Sequence, residues 1–176
     1  MLDAALELVG THGIRALTHG RIDERAGVPR GSTSNYFRTR AALLTGVVDH
    51  LTTRELADFD PGMLGGPIDA DVLAASMARL IEMQATTFRT RTLARYVFFL
   101  EGTHNPDLQR RLDVDRQRVE GWVTSVLDGL GAQDAVGSAR ILMAAADGLL
   151  LHRLTVGRDV DLTAALAAMI RSVLAA

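Results

Sequence analysis

The chain has 176 residues, 48% of them apolar and 23% charged, which is enough to bury a core in one domain or two small ones and excludes a disordered chain. Its longest stretch without Asp, Glu, Arg or Lys is nine residues, 162–170, far short of the about 20 that cross a membrane, and Asp3 and Glu7 interrupt the place of a secretory signal. Cysteine is absent, so disulfides, thiolate metal sites and cysteine nucleophiles are excluded and a reducing, cytoplasmic setting fits; the net charge of −2 taken alone disfavours a nucleic-acid partner.

Helical periodicity dominates and no alternating strand stands out. Leu2, Ala5, Leu6 and Val9 recur at helical spacing in a first helix that stops near Thr11-His12-Gly13. Thr18 is a suitable N-cap for a second helix over about 18–26, stopped by Gly27, and Pro29 opens a third over about 29–37. Thr39 caps a fourth, whose apolar positions are Leu43, Leu44, Val47, Val48 and Leu51. The Pro/Gly-rich run Pro61-Gly62-Met63-Leu64-Gly65-Gly66-Pro67 reads as a loop. Beyond it, helices are expected at about 69–88, 90–103, 106–130, 134–156 and 161–175. Leu108, Leu112, Val119, Trp122, Val126 and Leu130 form one stripe along the 106–130 helix. The expected fold is all-α, with about nine helices.

Two short helices joined by Ala26-Gly27-Val28-Pro29 match a helix-turn-helix, with Gly27 taking a left-handed conformation that a Cβ penalises. Ile22 and Val28 are expected in its core with Leu6, Val9, Leu17 and Phe37. The exposed side of the third helix then shows Arg30, Ser32, Thr33, Ser34, Asn35 and Tyr36, small polar groups that reach base edges and phosphates. Between Arg15 and Arg40 six arginines face only Asp23 and Glu24, a local +4, which leaves −6 on the rest of the chain. Charge is thus segregated as phosphate binding requires, and the net value does not bear on it. All 19 basic residues are arginine, so every cation is a planar fork suited to bidentate phosphate or guanine contacts.

These residues resemble the TetR family of bacterial transcriptional regulators. The likeness runs through Ala4-Ala5-Leu6-Glu7-Leu8, Gly13, Thr18 and Ile22-Asp23-Glu24-Arg25-Ala26-Gly27-Val28, then Gly31-Ser32-Thr33-Ser34-Asn35-Tyr36-Phe37, Arg40 and Leu43-Leu44. Weaker matches follow at Phe99-Leu100-Glu101, Asn105-Pro106-Asp107-Leu108 and Asp147-Gly148-Leu149-Leu150-Leu151. The resemblance implies a homodimeric repressor, not an enzyme. Residues 1–45 would form a helix-turn-helix domain on double-stranded, palindromic operator DNA, and residues 46–176 would bind a small effector and dimerise. It places Arg30, Gly31, Ser32, Ser34 and Asn35 near bases or phosphates, and Thr18, Tyr36 and Arg40 on the DNA backbone; Thr33, on the exposed side of the third helix, is expected among the DNA contacts too. Arg21 and His19 join them, His19 as a phosphate neighbour.

Three positions depart from the family pattern. Ser34 replaces a usual aromatic, Gly20 a usual basic or polar residue, and only three residues precede Ala4, so the usual basic arm has no counterpart in this sequence.

The histidines His12, His19, His50, His104 and His152 are too scattered for a metal site, and His50 is expected on the surface. No G-x-S-x-G elbow or strand-borne phosphate loop points to catalysis. Met83, Phe88, Tyr96, Phe99, Trp122 and Met143 suit an apolar ligand pocket, with Glu101 and His104 as polar groups at its edge, although ordinary core packing accounts for any one of them. Ala144, Gly148, Leu151 and Thr155 share one face of a helix, and Leu166, Met169, Ile170 and Val173 share a face of the next, an arrangement that fits a symmetric interface. A small helical ligand carrier or enzyme, or an interaction bundle, are the rival readings.

Overall fold

The computed structural model describes residues 1–58, 68–157 and 160–175, and the regular structure among them is helical. The described helices are α1 (Leu2–His12), α2 (His19–Ala26), α3 (Ser32–Tyr36), α4 (Arg40–Asp58), α5 (Ala70–Ala85), α6 (Arg89–Gly102), α7 (Pro106–Gly129), α8 (Ala135–Thr155) and α9 (Leu162–Leu174), with a 3-10 turn at Ile14–Ala16. That turn was not expected, and the Pro/Gly-rich run at 61–67 lies outside the described residues.

Local side chains set most helix starts. The first free backbone N–H groups donate to Thr39 at α4 (3.0 Å), Asp69 at α5 (2.7 Å), Asn105 at α7 (3.2 Å), Asp134 at α8 (2.9 Å) and Asp161 at α9 (3.0 Å). α1 and α3 start without a side-chain cap, and α3 is shorter than the 29–37 expected. Gly31 adopts φ +94°, outside the helical region, so Pro29 and Arg30 belong to a turn.

The chain packs as two compact units, which cut across the 45/46 boundary expected from sequence. The first comprises Met1–Phe59 and Arg89–Asp115. Its core joins Leu6, Val9, Leu17, Ile22, Leu43, Val47 and Leu51 with Phe98, Leu108 and Leu112. Each such leucine or phenylalanine contributes about 1.5–3 kcal/mol relative to exposure. α1 can approach α6 closely because residue 10 is glycine: a Cβ there would sit 1.9 Å from the Thr90 carbonyl oxygen. α4 is tied to α6 by Arg91–Asp58 and Arg95–Glu55 and to α7 by Arg111–Asp49. His50 is not the plain surface residue expected; it is half-buried and its Nε2 lies 2.8 Å from the Asp3 carboxylate, which that hydrogen bond holds below its usual pKa.

The second unit comprises Asp60–Phe88 and Arg116–Ala176. α5 packs on α8 and α9, burying Leu73, Ile81, Leu142, Leu150, Leu154, Leu166 and Ile170. The α7 stripe turns one position from the sequence expectation in this half. Val123 and Leu127 are its buried residues, while Val119, Trp122, Val126 and Leu130 are half-buried. By length and composition α8 could cross a membrane, although the sequence led us to expect no such segment. Its charges argue for a bundle helix instead, since Arg140 pairs with Glu120, Asp147 with Arg116 and Arg153 with Glu82.

Candidate nucleic-acid interface

α2 is capped at its start by Thr18, whose Oγ1 accepts the Arg21 N–H at 3.4 Å, and at its end by Gly27 in the left-handed conformation (φ 65°, ψ 30°) that the turn requires. The turn brings α3 back across α2. Ile22 is fully buried beneath them, while Val28 and Phe37 are half-buried, and Phe37 packs against the core.

The contact between the two helices is polar. The buried Asp23 carboxylate accepts the Gly31 N–H at 2.7 Å, the Thr33 N–H at 2.8 Å and the Thr33 hydroxyl at 2.6 Å. The Thr33 hydroxyl, then its amide, hold the Asp23 pKa below the usual carboxylate range. The expected exposure of Thr33 is therefore corrected: it is fully buried against Asp23 and cannot face DNA. Gly31 also serves the backbone, because its N–H is bound and its positive φ suits only glycine. At the other end of α3, His19 Nε2 lies 2.6 Å from the Phe37 carbonyl oxygen; that oxygen can only accept, so Nε2 carries the proton. His19, expected as a phosphate neighbour, is half-buried and uses this ring nitrogen within the chain.

Arg30, Ser34, Asn35 and Tyr36 are exposed, Tyr36 at 74%. Ser32 is half-buried. The Ser32 hydroxyl donates to the Pro29 carbonyl (2.6 Å) and that of Ser34 to the Gly31 carbonyl (2.8 Å). Within residues 15–40, Arg15, Arg21, Arg30 and Arg38 are exposed and form no ion pair among the described residues. Arg25 pairs with Glu7, and Arg40 donates to the Leu17 carbonyl at 2.8 Å and the Ile14 carbonyl at 3.4 Å. Arg40 thus braces the 3-10 turn below α2. Asp23 is turned inward, while its neighbour Glu24 is exposed.

The expected ligand residues divide between the units. Tyr96, Phe99 and Glu101 are half-buried in the first, with Tyr96 edge-on to Phe99 (6.4 Å between centroids) and Arg95 over the Tyr96 ring. His104 is exposed in the turn after α6. Met83, Phe88, Trp122 and Met143 are half-buried in the second unit.

Of the expected interface residues, Ala144, Gly148, Leu151 and Thr155 are exposed on α8. Leu166 and Ile170 are corrected: both are fully buried within their own unit, where α5 covers α9, and Met169 and Val173 are half-buried. Ile141, 63% exposed and one turn before Ala144, belongs to the same stripe and was missed. Its spacing from Ala144 was the available signal. Among the described residues no group of three or more His, Asp or Glu side chains converges on a metal position.

Comparison with known proteins covers both halves. Residues 1–47 match the family model for bacterial regulatory proteins of the tetR family, and residues 69–176 match the tetracyclin repressor-like C-terminal domain. The HTH-type transcriptional regulator BetI of Escherichia coli K12 is 28% identical over 170 residues, 94% of this chain and 86% of that protein. BetI of Brucella melitensis is 24% identical over 131 residues, 74% of this chain but only 65% of that protein's length. A transcriptional regulator from Rhodococcus sp. Rha1 has the same fold (TM-score 0.84, 23% identity, 99% and 94% of the two chains). The multidrug binding protein EbrR complexed with proflavin is 26% identical with a TM-score of 0.66, covering 97% and 95%. An all-helical chain whose helix-turn-helix carries exposed arginines and whose C-terminal half matches the partner domain belongs to the TetR family of DNA-binding transcriptional regulators.

Proposed function

We propose that the protein is a homodimeric repressor that holds a palindromic operator and leaves it when a small, largely apolar effector binds. The observation that carries this reading is the exposure of Arg30, Ser34, Asn35 and Tyr36 on and just before α3, in a helix-turn-helix region whose Arg15, Arg21 and Arg38 are exposed as well. Reading bases with α3 requires two copies spaced by one helical turn, about 34–36 Å, or a multiple. The α8 stripe of Ile141, Ala144, Gly148, Leu151 and Thr155 is the face we assign to the second copy, with Met169 and Val173 of α9 beside it. Its glycine and alanine allow close helix approach.

In this reading residues 1–45 contact DNA and residues 46–176 bind the effector and dimerise, all in the cytoplasm where the operator lies. That a similar structure is described as a multidrug binding protein holding proflavin supports a small organic effector. Effector binding needs to supply only about 1–3 kcal/mol of coupling to change occupancy 5–150-fold. No catalysis is required.

A mobility-shift titration with duplex DNA flanking the protein's own gene tests the reading. A retarded band at moderate salt, released by apolar candidate ligands, is the expected result. No shift of any flanking fragment would overturn it.

A further inference from the structure

We propose that His19 and Asp23 of α2 are positioning residues for sequence-specific DNA binding, setting the pose of α3 from both of its ends. The proposal rests on the DNA-binding reading above. α3 has five residues, Ser32–Tyr36, well below the roughly 12–15 at which an isolated helix becomes even marginally stable in water. Its pose must therefore come from its neighbours. His19 and Asp23 stand four residues apart and so share one face of α2. Asp23 holds the N-terminal end through Gly31 and Thr33, and His19 holds the C-terminal end through the Phe37 carbonyl.

Charge sharpens the case. A carboxylate in a module that approaches phosphates opposes binding if it is exposed. Asp23 is buried with three donors on it, so its carboxylate is committed to holding α3 and is kept out of direct contact with phosphates. The same bonds remove Thr33 from base reading and leave Arg30, Ser34, Asn35 and Tyr36 on the outward side. A helix fixed beforehand loses less conformational freedom on binding, which favours the matched sequence over random DNA.

The experiment uses the full chain. Wild-type protein first selects its preferred duplex from a random-sequence library. Affinities for that duplex and for a scrambled one are then measured across salt for wild type, His19→Ala, His19→Gln, Asp23→Asn and Thr33→Val, each checked for helical content and thermal midpoint. The specific-to-scrambled ratio should fall about tenfold, the size of one mismatched base pair, in His19→Ala, Asp23→Asn and Thr33→Val. Scrambled-duplex affinity and salt slope should stay at wild-type values, because the phosphate-facing arginines are unchanged. His19→Gln, which keeps an N–H donor, should recover most of the ratio.

An unchanged ratio in the folded variants would overturn the proposal even if they melt earlier, since a merely structural role predicts that. A parallel fall in both affinities would also overturn it, by making these residues phosphate contacts. Should Asp23→Asn fail to fold, Thr33→Val and His19→Ala decide the question. Wild type that enriches no sequence removes the regulator reading and this proposal together.

Discussion

Asp23 is the residue whose chemistry departs furthest from its sequence context, an acid buried within a basic module. Its pKa is depressed by the Thr33 hydroxyl and amide, so its contribution to stability is full above the ordinary carboxyl pKa and is lost as pH falls through the lower folded value. The thermal midpoint of wild type should therefore exceed that of Asp23→Asn by a constant margin from about pH 8 to 5, and the margin should begin to close only below about pH 4. A margin that widens in acid would contradict the hydrogen-bond assignment. The arginines separate on the same reasoning. Arg30 is exposed with no ion pair, so Arg30→Ala should change stability by less than about 0.5 kcal/mol while lowering the salt slope of DNA binding by about one. Arg40 holds two carbonyls, and Arg40→Ala should cost roughly 1 kcal/mol in denaturant unfolding before any effect on DNA is counted.

At the scale of the helices, what could be read in the sequence was what depends on neighbours within one turn. Thr18, Thr39, Asp69, Asn105, Asp134 and Asp161 each cap a helix through a residue three positions on, and those starts were legible. Thr33 was misplaced because its partner Asp23 lies ten residues away across a turn. The α9 stripe misled for another reason. Leucine, methionine, isoleucine and valine crowd both sides of one helix, and only α5 shows that Leu166 and Ile170 turn inward. Likewise Arg111–Asp49 joins residues 62 apart and has no local signature. Two glycines test the helix packing in opposite directions. Gly10→Ala would push a Cβ into the Thr90 backbone and should destabilise by about 1–3 kcal/mol, seen as a thermal midpoint lower by several degrees. Gly20→Ala meets nothing within 4 Å in the first turn of α2 and should stabilise by roughly 0.5–1 kcal/mol.

For the whole molecule, the prediction that matters is self-association through α8. A Cβ at Gly148 meets nothing within 4 Å inside the protomer, so Gly148→Glu leaves the fold intact while placing a carboxylate in the middle of the exposed stripe. Light scattering at micromolar concentration should show a dimer for wild type and a monomer for Gly148→Glu. Operator affinity should fall at least tenfold as the two half-sites come to be bound independently. A wild-type monomer would remove the interface assignment.

The way α3 is held has a consequence for altering what such a protein recognises. The atoms that seat the helix are backbone groups at Gly31, Thr33 and Phe37 and the buried Thr33 hydroxyl, whereas the outward side chains at 30, 35 and 36 make none of these bonds. In the proposed DNA-binding reading, the fixture and the reading edge are therefore separate parts. Side chains at 30, 35 and 36 can be exchanged while 19, 23, 31 and 33 are kept, so a new operator preference can be sought through a few surface positions without rebuilding the domain that carries them.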